Sequence, residues 1–325
     1  MAYKDIVFIN GLVKSREKYL IGEDKFARMA EASSYGEAFK TLCEYNFGGE
    51  AAADCSAEDY EKLCDAEWEN FTAFLKEYAP SEAFLKNLTA RNDFFNAECA
   101  VRQKNVGASD DAFMPEGLYS VASLKSAAAG KINVPAHLST PMNEAQELFD
   151  KNEATGANIS TLFLRAYYAY MLKNVKNRDW KQFVIYEIDA KNISTALRCG
   201  NYEKAEGLFI DGGKLSKKTL SLICDGNEKK ALDTTVQTPY FDLIKLGFAE
   251  KKKGLSLSKF EMEVNNFAMK LLKRKRFETD GIVPMLLYAN YKINEIKNVR
   301  LVMSLKLCGV DKDIIKGRLL ACYER

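Results

Sequence analysis

The chain has 325 residues, 47% of them hydrophobic and 28% charged, with a net charge of +2. This is too apolar for a disordered chain, and 6 prolines and 19 glycines are too few for the turns of a loop-rich β protein. No apolar run reaches the ~18–20 residues that a membrane-spanning helix needs, and Met1-Ala-Tyr-Lys-Asp5 lacks the pattern of a secretion signal. A cytoplasmic protein without a direct membrane span is expected.

In chain order, Ser33 is expected to cap an early helix, and Asn46 to Asp54 reads as a loop. Ser81 to Arg102 carries Phe84, Leu85, Leu88, Phe94, Phe95, Ala97 and Val101 near i, i+3/i+4 spacing, which predicts an amphipathic helix. A loop follows at Asn105 to Gly117. Ser160 to Val175 (Phe163, Tyr167, Tyr168, Tyr170) predicts a buried helix, and Trp180 to Leu197 another after a turn at Lys176 to Asp179. Beyond a loop at Gly207 to Lys214 come a helix at Ser258 to Lys275, a loop at Glu278 to Ile282, and a helix from Pro284, where a missing N–H is harmless, to about Leu305. Asp311 is the last expected cap. Without alternating strands the fold reads as all-α.

The rare residues argue against an enzyme. His137 lies between Pro135 and Pro141 and reads as an ordinary loop histidine without a partnering Glu or Cys. None of the eight cysteines forms a C-x-x-C pair, so buried free thiols are expected, with no metal. Asp211-Gly-Gly-Lys214 fails as a phosphate loop because position 208 is Leu and Leu215 stands where a hydroxyl is required. No other nucleotide or hydrolase motif is present, so no cofactor is expected. The pair Asp110-Asp111 reads as a loop pair with no constellation around it.

Charge is distributed unevenly: residues 1–100 carry −8, residues 101–200 carry +2 and residues 201–325 carry +8. Such a dipole orients a molecule among charged neighbours. Lys251-Lys-Lys253 and the run from Lys270 to Arg276 suit phosphate, lipid headgroups or an acidic protein, or else solvated helix ends where cations favour the dipole. A nucleic-acid partner is not expected, since no wide basic face interleaved with aromatics is evident.

The loops near residues 106 and 210 divide the chain into similar thirds, and each third contains an acid-x-x-Asn element: Asp93 with Asn96, Asp189 with Asn192, Glu295 with Asn298. Each also has an upstream hydroxyl-x-aromatic-or-Met element, ending at Tyr35, Met142 and Tyr240. Leu118 to Leu124 resembles Leu215 to Leu220 as a helix start. At about 100° per residue, acid and Asn share one helix face, whereas Arg102 and Arg198, nine positions after their acids, point the opposite way. The third copy has Ser304 at that position and Arg300 on another side. Either the pairs satisfy helix ends or neighbouring turns within each repeat, or three equivalent faces converge on a cavity and grip a partner.

These triplicated elements, Asp189-Ala-Lys-Asn-Ile-Ser-Thr-Ala-Leu-Arg198, and the run Gly281-Ile-Val-Pro-Met-Leu-Leu-Tyr288 through Asn294-Glu-Ile-Lys-Asn-Val-Arg300 to Gly309 resemble the C-type rotor component of V-type and A-type rotary ATPases, equivalent to the d component of the eukaryotic vacuolar enzyme. The resemblance covers essentially the whole chain, with Met142 and Ser304 as departures from its pattern. It implies three pseudo-repeated helical lobes (1–105, 106–210 and 211–325) arranged as a funnel around a central cavity. It also implies a non-catalytic rotor protein, attached peripherally at the membrane, whose partners are the central-stalk subunits and the membrane proteolipid rotor ring. Asp93, Asn96, Asp189, Asn192, Glu295 and Asn298 are then expected to line or buttress the cavity, with Tyr35 and Tyr240 anchoring helix packing. The competing expectation is a helical-repeat adaptor with a concave partner-binding surface; an enzyme with an unrecognised interlobe site ranks third.

Overall fold

A computed structural model of the chain describes residues 5–107, 109, 112–254 and 257–324, without the side chains of Ala53 and Asp54. The Asp110-Asp111 pair lies outside the described residues. The helices are α1 (Ile6–Glu17), α2 (Glu23–Glu31), α3 (Tyr35–Cys43), α4 (Tyr60–Tyr78), α5 (Glu82–Val106), α6 (Val121–Ala128), α7 (Ala136–Asp150), α8 (Gly156–Asn174) and α9 (Arg178–Cys199). There follow α10 (Tyr202–Glu206), α11 (Lys217–Cys224), α12 (Glu228–Thr235), α13 (Phe241–Lys252), α14 (Ser258–Phe267), α15 (Met269–Lys273), α16 (Val283–Leu307) and α17 (Lys312–Lys316). Two short 3-10 turns precede α4. Among the described residues no strand forms, and the fold is all-α; a single parallel bridge joins Gly22 to Tyr323.

Side-chain caps set many of the boundaries, because the first N–H groups of a helix have no partner inside it. The side chains of Ser120, Ser216, Thr155, Asn177, Asn201 and Asp311 accept from backbone N–H groups in the first turns of α6, α11, α8, α9, α10 and α17. At α3 the cap is Ser34 rather than Ser33. Ser34 accepts from the Glu37 N–H, while Ser33 donates its own N–H and hydroxyl to the Glu37 carboxylate. Two adjacent serines compete for one cap, and the glutamate engages the outer one. The helix expected from Ser258 to Lys275 divides at Ala268 into α14 and α15. His137 is a correction: Pro135 serves as an N-cap and His137 lies in the first turn of α7, where a preceding proline is tolerated.

The chain forms two compact units, Met1–Ser81 with Ser256–Arg325, and Glu82–Leu255. The first unites the two ends of the sequence. Phe26 and Met29 of α2, Leu42 of α3 and Leu63 of α4 bury against Ile296, Val299 and Met303 of α16 and Ile315 of α17. Fully burying such side chains contributes roughly 1.5–3 kcal/mol each, so the N-terminal helices owe their place to a helix that begins only at Val283. In the second unit α5 packs on α6, α7 and α8, and α9 packs on α8, α11 and α13. The longest helices, α5, α9 and α16, carry the acid-x-x-Asn elements.

Candidate functional site

Asp189 and Asn192 stand one turn apart on the inner face of α9, at 0% and 4% exposure. Asn192 Nδ2 donates to the Ile210 carbonyl at 2.8 Å, and its Oδ1 accepts the Ile210 N–H at 2.8 Å. The side-chain amide thus pairs with one backbone unit as a neighbouring strand would. Asp189 accepts the N–H groups of Lys214 (2.9 and 3.0 Å) and Leu215 (3.0 Å), and the Tyr240 hydroxyl donates to its Oδ2. Burial pushes the Asp189 carboxyl above its ordinary range, opposed by the Tyr240 hydroxyl and these N–H groups. Burial and the Asp189 bond both push Tyr240 upward, so it remains a donor. The Asp211-Gly-Gly-Lys214 loop therefore presents amide N–H groups to an anion, and the anion is the chain's own carboxylate.

The same brace is built on α5. Asn96 exchanges two hydrogen bonds with Met114, at 3.0 and 2.8 Å, and Asp93 accepts the N–H groups of Leu118 and Tyr119 at 3.0–3.1 Å. In both braces the residue before the first donor is a glycine for a steric reason. A Cβ on Gly117 would lie 2.4 Å from Asp93 Oδ1, and one on Gly213 would lie 2.2 Å from Asp189 Oδ1. Three residues beyond each glycine comes the helix cap, where Ser120 Oγ meets Ser123 Oγ at 2.8 Å and Ser216 Oγ meets Thr219 Oγ1 at 2.9 Å. The matched starts are thus Tyr119 with Leu215, one residue off the Leu118–Leu215 resemblance. Among the described residues Asp93 has no tyrosine hydroxyl bonded to it, Met142 being a buried thioether, and burial pushes its carboxyl up to about 6 against the two N–H groups.

On α16 the brace closes through the start of the chain. Asn298 exchanges hydrogen bonds with Leu320 at 3.0 and 2.9 Å. Glu295 Oε1 accepts the N–H of Ile21 at 2.6 Å, just ahead of α2, as the acids on α5 and α9 accept N–H groups just ahead of α6 and α11. Three places are therefore equivalent: each long helix fastens a connector and the entry to a short helix, and in the third the connector at Leu320 and the helix entry at Ile21 come from opposite ends of the sequence. The longer Glu295 side chain also pairs with Lys292, whose Nζ meets Glu67 Oε1 at 2.6 Å, and Glu67 Oε2 accepts the Gly48 N–H at 3.0 Å. Burial lowers the Lys292 pKa, but the Glu295 and Glu67 carboxylates more than offset it and hold the ammonium charged. This cluster floors a cavity of about 460 Å³ in the first unit, walled by Arg16, Tyr19 and the C-terminal half of α4, including Phe71 and Phe74.

The other sequence candidates take structural positions. Arg102 lies away from Asp93 and Asn96, bonding Glu98 on its own helix and the Gly156 carbonyl and Ser160 hydroxyl at the start of α8. Arg300 performs a similar task at the start of α4, pairing with Glu61 at 2.7 Å and Asp65 at 3.1 Å. Ser304 bonds the Leu301 carbonyl. The Tyr35 hydroxyl donates to the Ala57 carbonyl. His137 packs between Phe94 and Tyr170, and burial lowers its pKa. All eight cysteines are free thiols, but only Cys64, Cys99, Cys224 and Cys322 are buried as expected; Cys43, Cys55 and Cys199 are half-buried and Cys308 is exposed. Lys251 donates to the Leu197 carbonyl near the end of α9 at 2.8 Å, a cation at a helix C-terminus. Sequence reasoning missed Gly117 and Gly213, although both stand at one distance from their acids. It also missed Lys292 and Glu67, which no spacing connects.

The family profile described as ATP synthase (C/AC39) subunit matches residues 9–318. The chain is 22% identical over 326 residues to the C subunit of the V-type sodium ATPase of Enterococcus hirae, covering 97% of this chain and 98% of that protein. It is 27% identical over 218 residues to the C subunit of the A-type ATP synthase of Methanococcoides burtonii, covering 59% of this chain and 60% of that protein. No helix among the described residues is long and apolar enough to cross a membrane. With a match spanning nearly every helix, including α5, α9 and α16, the chain belongs to the C/AC39 family of V-type and A-type ATPase components.

Proposed function

We propose that the chain is a non-catalytic rotor component that couples the central stalk of the ATP-handling head to the proteolipid ring in the membrane, and so serves proton or sodium transport. It would be attached peripherally, through protein partners. The observation that carries this reading is the threefold brace in a chain that the family profile spans. A torque-bearing part must not yield at its connectors, and each connector is fastened by a buried carboxylate and a buried amide. Close-packed interiors transmit strain rather than absorb it.

In this reading Asp93, Asn96, Asp189, Asn192, Glu295 and Asn298 serve partner binding as buttresses, holding the connectors that meet the stalk. The three lobes at 1–105, 106–210 and 211–325 and their funnel arrangement belong to the same proposal, and small-angle scattering tests them against an elongated adaptor. The functional test is co-purification with the stalk subunits and proteolipid ring of the same organism, read by native mass spectrometry. One copy bound per stalk or per ring supports the reading. A folded protein that associates with neither overturns it.

A further inference from the structure

The basic run after α15 is not used by the braces. Arg274 and Lys275 are exposed, and the segment ends in Phe277, whose side chain is 72% exposed. The Arg276 guanidinium lies 4.6 Å from the Phe277 ring centroid and Lys14 Nζ lies 5.2 Å from it, so two cations flank a protruding aromatic. The segment is fixed beside α1, because Asn10 donates to the carbonyls of Thr279 and Gly281, both at 2.9 Å. On the edge of α1 nearest this loop stand Val7, Gly11 and Lys14, and Ser15 and Phe8 follow on the adjoining exposed face. Val7 and Phe8 are 52% and 58% exposed. Between its cap Asp5 and Glu17, which Lys14 neutralises, α1 carries no acid. The acids nearby are Glu278, 3.9 Å from Lys275 Nζ and half-buried, the exposed Asp280, and Glu324, whose charge is taken by Lys273 at 2.8 Å just ahead of the segment.

We propose that this edge of α1 and the segment 274–277 form a surface that docks on anionic lipid headgroups, with Phe277 and Phe8 entering the headgroup layer and Arg274, Lys275 and Arg276 at the level of the phosphates. Exposed apolar side chains gathered in one patch mark interaction surfaces, and a protruding aromatic flanked by long cations matches an interface that is apolar below and anionic above. An acidic protein would satisfy the cations alone. The Phe277 ring, which stands out from the surface between Arg276 and Lys14, favours the lipid layer.

The test is flotation of the full chain with vesicles of phosphatidylcholine alone and with one quarter phosphatidylglycerol, at low and high salt. Binding is expected on the anionic vesicles only and is expected to weaken with salt. Each cation near such a surface is worth about a fivefold change, so Arg274→Gln with Lys275→Gln should weaken binding about 25-fold. Phe8→Ser with Phe277→Ser should weaken it about tenfold, since only part of each ring enters. Both pairs are at exposed positions, and an unchanged circular dichroism spectrum confirms the fold. Equal binding to neutral vesicles, no binding to either, or binding indifferent to both pairs overturns the proposal. So does a result in which these variants lose only the isolated proteolipid ring. The vesicle assay contains neither stalk nor ring, so its failure leaves the rotor reading standing.

Discussion

The braces on α9 and α16 perform one task with different chemistry. On α9 the acid is a short aspartate completed by a neutral hydroxyl, and every partner comes from the following fifty or so residues. On α16 it is a longer glutamate completed by an ammonium shared with Glu67, and its backbone donor, Ile21, lies 274 residues away. The brace on α5 is the barest, with two backbone N–H donors on Asp93 and, among the described residues, no hydroxyl or ammonium. What is common to all three is the geometry: an acid facing the entry to a short helix, and an amide three residues on that pairs with one peptide unit. The partner that completes the acid varies. A local connector is held by hydrogen bonds alone, whereas the junction of the two chain ends has a buried ion cluster in addition.

That contrast predicts unequal sensitivity to substitution. The largest effect should come from Lys292→Met, which keeps the volume but leaves the buried Glu295 and the half-buried Glu67 without a counter-charge. A loss of about 3–5 kcal/mol is expected in denaturant unfolding, and adding Glu67→Gln should recover part of it. Asn192→Ala should cost about 2–4 kcal/mol, because the Ile210 N–H and C=O both lose their partner at a buried site. Tyr240→Phe removes one charge-assisted bond and should cost about 1.5–3 kcal/mol. If Tyr240→Phe proves the more damaging of these last two, the hydroxyl rather than the amide holds the connector.

The bare brace on α5 gives a pH signature. Burial raises the folded-state pKa of Asp93 to about 6, above its unfolded value of about 3.9. The folded chain therefore takes up the proton first, and this group's contribution becomes more favourable as pH falls from about 6 to about 4. Relative to Asp93→Asn, the wild type should gain about 2 kcal/mol across that window in urea titrations. A flat difference would mean that Asp93 is better solvated than its surroundings indicate. The smallest effect is expected of Met142→Leu, below about 1.5 kcal/mol, as a volume-conserving change at a buried site without a polar bond.

Much of this was legible in the sequence. The acid-x-x-Asn spacing placed both side chains on one helix face, and the structure finds them there, buried, on α5, α9 and α16. The loops after Asn105 and Gly207, which looked like dividers, are the segments those side chains grip. Local periodicity could not reveal that Glu295 binds residue 21, because no spacing rule connects positions at opposite ends of a chain. Nor did it reveal Lys292, which reads as one more lysine on a helix. Proline misdirected the reading of His137: a residue between two prolines looks like a connector, yet the first proline starts a helix and the second sits within it. The cap at α3 moved by one residue because Ser33 and Ser34 offer the same hydroxyl and only the position of Glu37 decides between them.

The most direct test of the brace is hydrogen–deuterium exchange of the connector amides. Met114, Ile210 and Leu320 donate to the three asparagines, and Leu118, Tyr119, Lys214, Leu215 and Ile21 donate to the three acids. These non-helical amides should exchange as slowly as those in the middle of α5, α9 and α16, and Asn96→Ala should release Met114 while Ile210 and Leu320 stay protected. Rapid exchange at all of them in the wild type would contradict the account, because the connectors would then be loops that the long helices do not hold.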